Sequence, residues 1–145
     1  MRQDLHIIES LITSNSKLLD VGCGDGSLIK HLAQHKNIDG RGIEIKQDMV
    51  RICVSNGLQV IQGDADQDLV HYPDKSFDYV ISCQTLQATK NPVKVLQDML
   101  RIGNQTIISI PNFGHIYNRF HLSIYGVNLN VWINVGSVKE SNEIN

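Results

Sequence analysis

The stretch KLLDVGCGDGSL, residues 17–28, constrains this chain more than any other. An apolar run carrying Asp20 is followed at once by glycines at alternate positions, Gly22, Gly24 and Gly26, and then by the helical spacing of Leu28, Ile29 and Leu32. A strand must give way to a helix across residues 22–26. Gly22 and Gly24 permit positive φ there and present no Cβ to whatever lies against the turn. The free N–H groups and positive dipole end of a helix starting near Ser27 favour a carboxylate or a phosphate at the same place.

The segments around this turn alternate in period. Leu5, Ile8, Leu11 and Ile12 recur at helical spacing and predict an amphipathic helix that ends in the turn-forming TSNS at 13–16. Short apolar runs at 17–22, 40–45, 58–63, 76–82 and 105–110 predict five strands. Helical spacing at 27–35, near 47–56 and at 91–103 fills the gaps, with Asn56 and Gly57 as a C-cap, Pro92 in a first turn and Gly103 beyond a last one. Such alternation implies right-handed crossovers and a parallel sheet covered on both faces, so the fold class is α/β, doubly wound. Ligands of these sheets bind beyond the C-terminal strand ends, where strand order reverses beside the first strand. VGCGDG lies there.

The glycine spacing narrows the ligand. A dinucleotide fingerprint, GxGxxG, would put its last glycine where this chain has Ser27, so NAD is disfavoured. Glu44 ends the second predicted strand, where a carboxylate can accept hydrogen bonds from both hydroxyls of a ribose. In GDAD, after the third strand, Asp64 is placed to accept from an adenine amino group while the Ala65 N–H donates to the ring. Three loops at three strand ends would then hold one adenosine.

LLDVGCGDG, the Glu44 strand end and QGDAD followed by SFDYVIS resemble a class I S-adenosylmethionine-dependent methyltransferase domain, with its Rossmann-like sheet. The resemblance implies S-adenosylmethionine as cofactor. It sets Asp20 next to the glycine loop and lays Gly22, Cys23, Gly24 and Gly26 along the methionine portion, with Glu44, Asp64 and Ala65 around the adenosine. A narrower resemblance rests on MRQDL, CGDGSL, VIQGDAD, SFDYVISCQTLQA, MLRIG and SIPNFGH, which together are similar to the methionine biosynthesis protein MetW family over residues 1 to about 126. Members of that family are associated with homoserine O-acyltransferase in methionine biosynthesis, so that enzyme is the implied partner. Beyond the position of Gly126 the family continues with a Met-Pro, a Trp-Tyr-Asp-Thr-Pro-Asn-like stretch and a further helix, which GVNLNVWINVGSVKESNEIN does not contain. The expectation is a methyltransferase-like domain over 1–126, with a sheet incomplete at the C-terminus, and a divergent tail over 127–145. In the tail, Val127, Leu129, Val131, Ile133 and Val135 alternate with Asn128, Asn130, Trp132 and Asn134, which predicts a sixth strand on an exposed edge and a frayed end after it.

Catalytic candidates are few. CQTLQA follows the fourth strand, where Gln84 and Gln87 could orient a substrate without acting as general bases. PNFGHIYNR at 111–119 offers Asn112, His115, Tyr117 and Arg119. Only His115 titrates near neutrality, which makes it the weak candidate base, against a loop that packs on a partner protein. Asp20 is either a cofactor neighbour or a buried acid pinning loop N–H groups. Cys23, beside a helix N-terminus, is either a stabilised thiolate or a small residue against the cofactor, and Cys53 and Cys83 are apolar fillers. His31 and His35 stand one helical turn apart with no third ligand near them in sequence, so a solvated helix face and no metal are expected.

Lys and Arg total 13 against 15 Asp and Glu, a net charge of −2 that gives no field for nucleic acid or an anionic membrane. No apolar run approaches the roughly 18–20 residues that span a bilayer. The opening MRQDLHIIESLI carries Asp4 and Glu9 where a signal peptide has its apolar core, and three cysteines without a CxxC pair suit a reducing compartment. A cytoplasmic protein is expected. Three functions compete: a module that binds S-adenosylmethionine while supporting homoserine O-acyltransferase, a methyltransferase working by in-line displacement, which needs chiefly positioning, and an NAD-dependent fragment, disfavoured by the glycine spacing and the absence of a nicotinamide half. A defective copy is the fourth reading.

Overall fold

The computed structural model describes residues 3–83, 85–109, 131–134 and 137–140. In chain order these form α1 (Gln3–Leu11), β1 (Lys17–Val21), α2 (Ser27–Lys36), β2 (Asp39–Glu44), α3 (Gln47–Ser55) and β3 (Gln59–Gln62). A short α4 (Ala65–Asp68) runs into a 3-10 turn at Leu69–His71. Then come β4 (Phe77–Cys83), a 3-10 turn at Leu86–Ala88, α5 (Pro92–Ile102), β5 (Gly103–Ser109), β6 (Val131–Asn134) and β7 (Ser137–Glu140).

The strands form one sheet in the order β3-β2-β1-β4-β5-β6-β7. The first five are all parallel, the 3-2-1-4-5 order of a Rossmann-like methyltransferase sheet. Strand order reverses between β1 and β4, which puts the binding crevice beyond the C-terminal end of β1. A sixth strand is present within the expected tail segment, parallel to β5, but it does not form the edge. β7 pairs antiparallel outside it, with Asn134 opposite Ser137. Only two residues separate those partners, and antiparallel strands, unlike parallel ones, can be joined that tightly. Residues 127–130, 135, 136 and 141–145 lie outside the described residues.

β1 shows why the sequence reads as a nearly continuous apolar run. Leu18 packs with Leu5, Ile8, Leu28 and Leu32 of α1 and α2, while Leu19 and Val21 pack with Leu96, Met99 and Ile102 of α5. A strand covered on both faces needs apolar residues at successive positions. Each such side chain, fully buried, contributes roughly 1.5–3 kcal/mol. Two helix ends are closed as their sequences predict. At the end of α3, Gly57 takes φ 79° and donates to the Val54 carbonyl (3.0 Å), while the Leu58 N–H reaches the Cys53 carbonyl (3.0 Å). At the start of α5, Asn91 accepts from the Lys94 N–H (3.2 Å) ahead of Pro92.

Gly103 lies just beyond the last turn of α5, as expected, and it also opens the next strand. It is extended (φ −98°, ψ 147°), lies opposite Phe77 and begins β5, so helix passes into strand without the predicted gap. α4 and the two 3-10 turns are too short to show a period in sequence. Among the described residues no helix is long and apolar enough to cross a membrane.

Candidate functional site

A cavity of about 310 Å³ opens at the C-terminal ends of β1, β2, β3 and β4. Its volume falls at the lower end of the roughly 300–1,000 Å³ usual for small-molecule sites. Gly22, Glu44, Asp64 and Ala65, drawn from three separate strand ends, all line it. Ile45, Lys46, Asp66, Thr85 and Lys90 complete much of the wall, and sequence reasoning singled out none of them.

The glycine loop has the conformation its composition requires, with φ of +73°, +58° and +80° at Gly22, Gly24 and Gly26. A Cβ at Gly22 would run into the Thr85 side chain, whereas one at Gly24 would meet open space. Gly24 is held from two sides. Its N–H donates to Glu44 Oε1 (2.8 Å) and its carbonyl accepts from the Cys53 thiol (3.2 Å). The other carboxylate oxygen of Glu44 accepts from the Lys46 N–H (2.8 Å), and the residue is only 7% exposed. A carboxylate offers about four acceptor positions, so these two bonds do not exhaust Glu44.

The acids after β3 form a chain of backbone contacts. Asp68 accepts from the Asp64 N–H (2.7 Å), and Asp64 Oδ1 caps α4 by accepting from the Asp66 N–H (2.9 Å). Asp66 then reaches across the cavity wall: its two oxygens accept from the N–H groups of Lys90 and Asn91, each at 2.9 Å. The segment after β3 is thereby tied to the segment after β4. The repeated acid in GDAD was the available signal for Asp66; its partners lie too far along the chain to be read locally.

Asp20, Cys23 and Gly26 are not among the residues that line the cavity. Asp20 is 2% exposed on β1, opposite Gly42. The Cys23 side chain packs with Ile29, Cys53 and Val60, away from the cavity lining. Burial, followed by the nearby Asp20 charge, pushes its thiol far above the ordinary value of 9.0, and burial raises Cys53 as well. The stabilised-thiolate alternative for Cys23 is thus corrected: desolvation and neighbouring acids outweigh the helix end. Gly26 packs against Leu58 and Cys53. Gln87 is exposed in its 3-10 turn. Gln84, Asn112, His115, Tyr117 and Arg119 lie outside the described residues.

A second correction concerns the helix histidines. His31 and His35 do have a third polar neighbour, because α1 packs on α2 and brings Glu9 within 2.9 Å of His31 Nε2. This hydrogen bond holds the Glu9 carboxyl below its usual range. The pairing is tertiary, so spacing along α2 could not reveal it.

The fold aligns with a TehB-like SAM-dependent methyltransferase from Corynebacterium glutamicum at a TM-score of 0.68 and 17% identity, over 83% of this chain and 71% of that one. A bifunctional methionine biosynthesis protein MetXA/MetW from Rhodopirellula baltica is 35% identical over 131 residues, 85% of this chain and 21% of that protein. Ajmaline N-methyltransferase from Rauvolfia serpentina is 33% identical over 94 residues, 59% of this chain and 32% of that one. The chain thus spans less than a third of the length of either curated relative, one of which joins MetXA and MetW in its name. The model of the methionine biosynthesis protein MetW family matches residues 2–130, and the chain belongs to that family.

Proposed function

We propose that the chain binds S-adenosylmethionine in this cavity and that its role in methionine biosynthesis is to support a homoserine O-acyltransferase. The observation that carries the binding reading is the convergence of Gly22, Glu44, Asp64 and Ala65 on one cavity at the point where strand order reverses. In this reading Gly22, on the cavity wall, and the open side of Gly24 receive the methionine portion. Glu44 accepts from the ribose hydroxyls through the acceptor positions left by Gly24 and Lys46, while Asp64 and the Ala65 N–H address the adenine. Bound there, the cofactor supplies an activated methyl group on a sulfonium. The partner reading is supported by family membership and by the Rhodopirellula relative, whose single chain is named for both MetXA and MetW.

Calorimetry with S-adenosylmethionine and its demethylated product tests the first half, and no heat at millimolar ligand would overturn it. Co-expression with homoserine O-acyltransferase, followed by pull-down and an acyl-transfer assay with and without this chain, tests the second. A complex with raised activity is expected; neither complex nor change would reject the partnership. The alternative is a methyltransferase in its own right, supported by the fold and the ajmaline N-methyltransferase likeness, with His115 as its candidate base. Robust methyl transfer by the isolated chain would favour it.

A further inference from the structure

The α1–α2 face carries a group of side chains that the cavity does not use. Glu9, His31 and His35 each offer one ligand atom, and the three atoms lie within 4.8 Å of one another. They share no residue with the cavity lining. His31 and His35 stand on successive turns of α2 with rings stacked at 4.1 Å between centroids, so both present to the same side. Glu9 approaches from α1, and His6, one turn earlier on α1, adds an imidazole at the rim, its Nδ1 3.9 Å from the Glu9 carboxylate.

The hydrogen bonds around the group orient it. The His31 carbonyl accepts only, so the 2.8 Å contact from His35 Nδ1 places a proton on that nitrogen and leaves Nε2 as the lone-pair nitrogen of neutral His35. A ring N–H given to a backbone carbonyl is the arrangement that fixes the tautomer of metal-binding histidines. His31 Nε2 and Glu9 Oε2 are hydrogen-bonded at 2.9 Å, across the gap that a cation would bridge. Tetrahedral ligands about 2.0–2.1 Å from zinc sit about 3.3 Å from one another, so small side-chain rotations reach coordination distance. His31 is 9% exposed on α2, next to the buried Leu28 and Leu32.

We propose that Glu9, His31 and His35 form a site for a zinc-class divalent cation, with water or His6 in the fourth position, and that the bound ion clips α1 to α2. Two imidazoles with one carboxylate suit zinc, nickel or copper rather than the all-oxygen preference of magnesium and calcium. The site is independent of cofactor binding.

The test titrates zinc chloride into the untagged, chelator-stripped chain. One zinc per chain is expected, with a melting temperature that rises with zinc concentration, since an ion that binds only the folded form stabilises it. His35→Gln, at an exposed position, keeps the fold by circular dichroism and weakens zinc binding about tenfold or more, and Glu9→Gln does the same. Cobalt in place of zinc gives visible d–d bands without a sulfur charge-transfer band, which separates this site from the buried cysteines. Failure of zinc to bind, equal affinity in folded His35→Gln, or a sulfur band with cobalt would each overturn the proposal.

Discussion

Glu44 joins two tasks in one carboxylate: it fixes the Gly24 peptide and faces the cavity in which a ribose is proposed to sit. Glu44→Ala should lower affinity for S-adenosylmethionine about ten- to hundredfold, the equivalent of roughly 1.5–3 kcal/mol for hydrogen bonds to a charged acceptor. Calorimetry reads this, with urea unfolding to show that the variant is folded; unchanged affinity would remove Glu44 from the site. Cys23 leads to a prediction of a different kind. Its folded-state pKa is raised above the ordinary 9.0, so the thiol's contribution to stability is complete below about pH 9. As pH rises further the unfolded chain ionises first, and stability falls. Urea unfolding at pH 8 and pH 10 should show that loss, and Cys23→Ala should show less of it. Thiol labelling of the native protein at pH 8 should be slow and become rapid in denaturant.

Asp66 and Asn91 show how elements are held at the cavity, and they separate packing from binding. Asn91→Ala removes the cap of α5 and should cost about 1 kcal/mol of stability while leaving cofactor affinity close to wild type. Asp66→Ala leaves the exposed N–H groups of Lys90 and Asn91 to water. It should cost about 0.5–1.5 kcal/mol and also weaken cofactor binding, because Asp66 and Lys90 are both on the cavity wall. Paired urea and calorimetric titrations distinguish the two. The same elements show what local sequence conveys. α5 was legible because Pro92 and its apolar spacing are local signals, and Glu44 because it ends a strand beside the glycine turn. The Asp66 bridge and the Glu9–His31 contact were not, because each joins residues brought together only by tertiary packing. β5 starts at Gly103 and not at the expected 105, because glycine marks a helix stop equally well whether a turn or a strand follows.

The whole molecule places its cavity across the seam of the sheet, with Glu44 and Asp64 on the β2–β3 side of β1 and Thr85 beyond β4 on the other. A ligand held by both sides should stabilise the domain as a unit. S-adenosylmethionine at 100 times its dissociation constant should add about 2.7 kcal/mol to unfolding, read as a shifted urea midpoint with an unchanged slope. The seam also has a history during synthesis. Leu18 lies opposite Gly40 on one flank and opposite Tyr79 on the other. A nascent chain can therefore zip β1 to β2 early, while the other flank of β1 waits for a segment not yet translated. Until β4 emerges, what will be the middle of the sheet is an unpaired, apolar border. Translation speed through residues 40–77 then sets how long that border is open to neighbouring chains, so slowed elongation there should lower soluble yield even though the finished protein is unchanged.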